Sequence, residues 1–124
     1  MSKYLLQVDK IKKIFEHKNG LVKVFENISL KIKPGELIAL TGPSGSGKSS
    51  LLHILALLDK PNSGTIIFNN KLIENQTEFE KNLIRQRNIS IIFQNNNLLS
   101  DFTTLENVMM PLIIRGEEKS SSIL

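Results

Sequence analysis

Gly42-Pro43-Ser44-Gly45-Ser46-Gly47-Lys48-Ser49 reads G-x-x-x-x-G-K-S, the pattern of a phosphate-binding loop. Ahead of it stands Leu37-Ile38-Ala39-Leu40-Thr41, a short apolar run of strand type. Behind it, residues 50–58 (SLLHILALL) have the length and composition of a helix. Strand, loop and helix in this order are the context that phosphate binding requires; a Gly/Ser-rich surface turn has no need of a Lys-Ser pair at a helix start. Glycines at 42, 45 and 47 let the backbone turn tightly and bring N–H groups close to a phosphate chain. The positive end of the following helix points to the same place. Lys48 adds a point charge for β- and γ-phosphates, and Ser49 offers a hydroxyl to Mg²⁺.

The composition sets the bounds. With 124 residues, 40% hydrophobic and 23% charged, the chain suffices for one small globular domain. The absence of cysteine excludes disulfides, thiolate metal sites and cysteine nucleophiles. His17 and His53 are too few and too far apart to suggest a metal site. The net charge of +4 comes from scattered lysines, with Lys10, Lys12 and Lys13 the only close group. That reads as solvated surface. No basic-aromatic interleaving points to nucleic acid. No apolar run approaches the roughly 18 residues of a membrane span. Met1-Ser2-Lys3-Tyr4 does not open a secretory signal, so a cytoplasmic location is expected.

The remaining elements follow from pattern. Residues 4–15 alternate partially and predict a strand, closed by a turn over 16–20 with the hairpin dipeptide Asn19-Gly20. Residues 21–25 predict a second strand or the run into one, and the alternating residues 28–32 a strand with one buried face, with a Pro34-Gly35 turn after them. Pro61 and Gly64 end the loop's helix and turn the chain sharply. Residues 65–68 predict a strand closed by Asn69-Asn70, residues 78–87 a surface helix interrupted at Asn88, and residues 89–93 a buried strand. A helix capped by Thr103 or Thr104 comes next, and Pro111 is expected to kink or end it. Residues 117–124 show no packing pattern and predict an unstructured tail, leaving 1–116 as the domain.

GTPases, nucleotide kinases, helicases and transport ATPases all use this loop. Asn70-Lys71-Leu72-Ile73 does not complete the base-recognition motif of a GTPase. Four features decide among the rest: Lys33-Pro34-Gly35-Glu36 before the loop strand, the loop itself, Pro61-Asn62-Ser63-Gly64-Thr65-Ile66 after its helix, and Ile91-Ile92-Phe93-Gln94. Together they resemble the ATP-binding subunit of ABC transporters over residues 4–116. The stretch 94–108 followed by Met110-Pro111-Leu112 is similar to the branch serving lipoprotein release and macrolide export. Leu51-Leu52-His53-Ile54-Leu55 and Leu58-Asp59 look most like its lipoprotein-releasing member.

The resemblance implies an α/β fold of P-loop NTPase type, with an antiparallel β subdomain, a parallel core sheet that is incomplete here, and flanking helices. It implies ATP and Mg²⁺ as cofactors. Gly42, Pro43, Ser44, Gly45, Ser46, Gly47, Lys48, Ser49 and Ser50 would hold phosphates, with Ser50 where Thr is usual. Phe15 would stack on adenine where Tyr is common; a core Phe ending a strand is the plainer alternative. Ser49 and Gln94 would meet the metal, and Gln94 would report nucleotide state; a polar residue ending a strand is its plainer alternative. Residues 95–110 would dock a coupling helix of the membrane permease subunits, where the bland reading is a polar loop. A second ATPase copy would complete the site, on the cytoplasmic face of the inner membrane.

The family's Leu-Ser-Gly-Gly-Gln signature, Walker B aspartate, catalytic glutamate and switch histidine have no match in these 124 residues, so no catalytic residue is assigned. The resemblance also places strands from beyond residue 124 between the loop strand and the 89–93 strand. The expectation is an N-terminal fragment with exposed strand edges, poorly stable and weakly hydrolytic alone. A non-catalytic nucleotide-binding remnant, complementation by a separate chain and a macrolide-type exporter are the rival readings.

Overall fold

A computed structural model describes residues 3–116, so the expected tail over 117–124 lies outside the described residues. Two compact units divide the chain, one ending at Lys81 and the other starting at Asn82.

The first unit is built on two long strands. β1 (Leu6–His17) and β2 (Gly20–Ile32) form an antiparallel hairpin closed where His17 pairs with Gly20, at the Asn-Gly turn read from the sequence. Of the two alternatives for 21–25, the run into a strand holds: 21–25 and 28–32 belong to the single strand β2. Asn27 takes a left-handed φ of 58°, and the pairing jumps from Ile11–Ile28 to Lys13–Phe25 across it. A bulge absorbs the irregularity without breaking the strand.

β1 has its own bulge, and it explains the partial alternation. Leu6 and Val8 are buried, then Ile11 and Lys13, so the inward parity switches between them. Lys10 sits at the switch with φ 47°. Its N–H donates to Ser29 Oγ at 2.8 Å in place of a ladder partner. The extra residue returns Ile11 to the inner face, where it is fully buried.

β3 (Ser63–Phe68) pairs antiparallel with the other edge of β1, and β4 (Lys71–Leu72) extends the sheet to the order β2-β1-β3-β4. Asn69 and Asn70 link them with φ of 45° and 66°, a two-residue hairpin that asparagine tolerates well. β4 and the 3₁₀ turn Ile73–Asn75 are not legible in the sequence pattern. In that turn, Glu74 accepts the Ile66 N–H at 2.9 Å.

Gly64 does not turn the chain. It lies inside β3 with φ +92°, opposite the β1 bulge, and a Cβ there would stand 2.5 Å from Ile11 Cα and 2.6 Å from the Asp9 carbonyl oxygen. Two backbones cross too closely for any side chain.

α1 (Lys48–Leu55) follows the loop and ends sooner than expected. Leu51 and Ile54 on it, and Ala56 and Leu57 just after it, are buried, as are Leu6, Val8, Ile11, Ile66, Phe68 and Ile73. At about 1.5–3 kcal/mol for each large aliphatic side chain removed from water, these residues supply the unit's driving force.

The apolar run 37–41 corrects the sequence expectation: it is paired in no ladder among the described residues, and Leu37 is 98% exposed. Residues 89–93 of the second unit are likewise extended but unladdered, and Ile92 is 98% exposed rather than buried. A strand exists only through its neighbours, and among the described residues no segment pairs with either run.

α2 (Glu78–Asn88) carries the boundary between the units. Its start is set by Thr77, whose hydroxyl accepts the Glu80 N–H at 3.2 Å while Glu80 accepts the Thr77 N–H at 2.7 Å. Within the second unit, α3 (Thr104–Ile114) opens on a full capping box between Thr103 and Glu106. It continues past Pro111 to Ile114, so the proline does not end it. Asn107 ties the preceding loop to α3: its amide donates to the carbonyls of Leu99, Phe102 and Thr103, and its oxygen accepts the Leu99 N–H at 2.8 Å. Arg115 Nε and the Gln86 side chain link the far end of α3 to α2.

Candidate phosphate-binding site

The loop at 42–49 is closed on itself by its lysine. Lys48 Nζ donates to the Gly42 carbonyl at 2.6 Å and the Pro43 carbonyl at 2.7 Å, and reaches Ser46 Oγ at 3.5 Å. A turn bond from the Ser46 N–H to the Pro43 carbonyl spans 3.3 Å. The ammonium bridges the end of the loop to its start.

Gly47 caps α1 with φ 91° and offers no side chain to the first helical amides. No acidic residue occupies the first turn. The amide donors at this end are therefore left for an anion, with the helix dipole behind them. Gly47 is also pressed on β2: a Cβ would meet Val24 Cγ1 at 2.6 Å and Phe25 Cδ1 at 3.2 Å. Glycine is required here twice, for its backbone angle and for the contact. Val24 and Phe25 seat the loop on the sheet, a role with no signal in their local sequence.

Ser44, Gly45, Ser46 and Ser49 are exposed, and Lys48 and Ser50 are half-buried. The Ser49 hydroxyl lies one residue into α1 and is exposed to solvent. No cluster of three His, Asp or Glu side chains that could hold a metal occurs among the described residues. One hydroxyl at a candidate phosphate site would suit Mg²⁺, a hard cation that needs few protein oxygens. Transition metals fit this donor set poorly.

Phe15 lies on β1 and is 46% exposed, so it is not a core residue. It pairs with Val22 of β2, two residues before the Val24 that Gly47 touches. Lys13 corrects the reading of the basic N-terminal group as surface: it is only 8% exposed. Its Nζ meets Asp59 Oδ2 at 2.7 Å and the Lys60 carbonyl at 2.9 Å, and lies 4.9 Å from the Phe15 ring centroid. Burial alone would raise the Asp59 carboxyl, but hydrogen bonds from Lys13 and the Lys60 amide outweigh it and hold the group below the usual range. Asn62 completes the junction. Its side-chain oxygen accepts the Ile14 N–H at 2.7 Å, and its own N–H donates to the Lys12 carbonyl at 2.8 Å.

The first unit thus brings together residues 42–50 and carries Phe15 on the same sheet. Gln94 belongs to the second unit, exposed in a bend after the 89–93 run. In the same unit, Leu98, Leu99, Phe102, Leu105 and Val108 are exposed apolar side chains on α3 and the loop before it.

Comparison with known proteins places this geometry. The ABC transporter family matches residues 25–123. The chain is 42% identical over 124 residues to the lipoprotein-releasing system ATP-binding protein LolD of Rickettsia bellii, and 44% identical over 123 residues to that of Rickettsia typhi. Each match covers 99% of this chain and 53% of the relative, so the chain spans about half the length of the curated relatives it matches. Among solved structures, the ATP-binding cassette MJ0796 in a dimeric post-hydrolysis state with ADP and Pi superposes with a TM-score of 0.87 at 32% identity, covering 95% of this chain and 52% of that one. The chain belongs to the ABC transporter ATP-binding family.

Proposed function

We propose that this chain supplies the nucleotide half-site of an ABC ATPase that powers lipoprotein release at the cytoplasmic face of the inner membrane. The observation that carries this is the lysine-latched loop at the head of α1, where Lys48 bridges the Gly42 and Pro43 carbonyls. In this reading the backbone amides of 44–49 wrap the β-phosphate of ATP, and Lys48 adds its charge beside the γ-phosphate. Ser49 gives its hydroxyl to Mg²⁺, which neutralises charge on the phosphates when bound. Phe15 stacks on adenine, and Gln94 joins Ser49 at the metal and senses the γ-phosphate.

The lipoprotein-releasing role is supported by the likeness to two relatives of that name at 42% and 44% identity. The permease contact is supported by the exposed Leu98, Leu99, Phe102, Leu105 and Val108, an apolar patch of the kind that marks interaction sites. The other half of the nucleotide site would come from a second ATPase copy, and hydrolysis would use residues that have no counterpart within 1–124.

The test is functional complementation. The chain is fused to the C-terminal half of a LolD protein and expressed in cells depleted of their own LolD. Restored lipoprotein release, lost with Lys48→Ala, is the expected result. A fusion that is folded and ATP-hydrolysing but releases no lipoprotein would overturn the substrate assignment.

A further inference from the structure

We infer that Lys13 is a positioning residue for the base-stacking ring: its buried ammonium backs one face of Phe15 and fixes that ring to the far end of the phosphate-loop helix. This role deepens the adenine-stacking reading of Phe15 and rests on it.

The ammonium has three partners. It ion-pairs with Asp59 at 2.7 Å, donates to the Lys60 carbonyl at 2.9 Å, and stands 4.9 Å from the Phe15 centroid, within cation–π range. A lysine only 8% exposed is costly to keep charged without such partners. Surface solvation does not account for the side chain; something must hold it inward.

The partners lie at functionally distinct places. Asp59 and Lys60 follow α1, whose first residue is the phosphate lysine Lys48. An eight-residue helix is about 12 Å long. One rigid element therefore starts at the lysine read as the phosphate contact and leads, just past its end, into the Lys13 anchor. Asn62 fixes the same junction through the Lys12 carbonyl and the Ile14 N–H, the residues flanking Lys13. Phe15 follows Ile14 on β1, still 46% exposed with the ammonium on one face.

The arrangement has an electronic consequence as well as a mechanical one. A cation on one face of a ring draws electron density toward itself and leaves the opposite face less negative. An electron-rich purine stacks better on such a face. Lys13 would thus tune recognition of the base without touching it.

The test separates base from phosphate. Equilibrium dialysis of the chain measures affinity for Mg-ATP and for Mg-tripolyphosphate, which has the phosphates and no base. Lys13→Met is expected to lower the ATP-to-tripolyphosphate affinity ratio by about 3- to 10-fold, the range a desolvated cation–π contact supports. Lys13→Arg is expected to retain the ratio. Lys13→Gln, which keeps a donor for the Lys60 carbonyl, replaces Lys13→Met if the latter does not fold. Equal loss of both ligands would mean a general structural or charge effect and would overturn the inference. An unchanged ratio in Lys13→Met beside a lowered ratio in Phe15→Leu would overturn it while leaving the stacking reading intact. An unchanged ratio in Phe15→Leu would sink the stacking reading, and the inference with it.

Discussion

Replacing Gly64 by alanine adds one methyl group at the tightest crossing in the sheet. Two costs add. At φ +92° an L-residue is strained by about 1–2 kcal/mol. The new Cβ would also stand 2.5 Å from Ile11 Cα, 2.6 Å from Ile11 N and 2.6 Å from the Asp9 carbonyl oxygen. These are backbone atoms of the central strand, held on its other edge by β2, so they cannot swing aside as a flexible side chain would. Overpacking of this kind costs about 1–3 kcal/mol. The sum is about 2–5 kcal/mol, a large part of the roughly 5–15 kcal/mol that a domain typically has. Hydrogen exchange reads this locally, at the amides of β1 and β3. At the low end, about 2 kcal/mol lowers protection by roughly 30-fold. Gly35→Ala is the control. Its φ is +75° and nothing lies within 4 Å of a Cβ there, so only the backbone strain applies. A Gly64→Ala chain whose β1 and β3 protection falls no more than that of Gly35→Ala would refute the close-crossing argument.

Asp59 has its pKa depressed in the fold, so its ion pair with Lys13 stabilises above the ordinary aspartate value of about 4 and is lost as pH falls below it. The stability gap between the chain and Asp59→Asn, followed by urea titration, should be widest near neutral pH and close in acid; a pH-independent gap would contradict the pairing. Thr103→Ala removes one arm of the α3 capping box and should cost about 1 kcal/mol of local stability, read as faster exchange at the Glu106 and Asn107 amides without change in β1. Leu37→Lys and Ile92→Lys place charge on side chains that are already 98% exposed; each should change stability by less than about 0.5 kcal/mol while reducing self-association by light scattering. A large loss of stability would mean that these side chains are buried after all.

The loop at 42–49 is legible in the sequence because its pattern is local: glycines, lysine and serine fall within eight consecutive residues, just ahead of the helix that the structure shows. The β1–β2 hairpin is legible through Asn19-Gly20, and the α3 start through Thr103 and Glu106, again local signals. What escapes depends on contacts distant in sequence. Lys13 looks like surface because its partners are at Asp59 and Lys60. Gly64 looks like a turn because the backbone it meets is at Asp9 and Ile11. Val24 and Phe25 carry no sign that Gly47 rests on them. The apolar runs 37–41 and 89–93 have the composition of strands, but composition cannot supply a neighbour, and neither joins a ladder among the described residues.

The central claim is that the loop closed by Lys48 binds the phosphates of a nucleotide. Equilibrium binding of Mg-ATP to the chain and to Lys48→Ala tests it most directly, with hydrogen exchange at β1 and β3 as a check that both are folded. The account predicts saturable binding by the chain, competed by tripolyphosphate, and a loss of at least about tenfold in affinity on removing the charge-assisted contacts of Lys48. Binding that persists unchanged in a folded Lys48→Ala chain would contradict it.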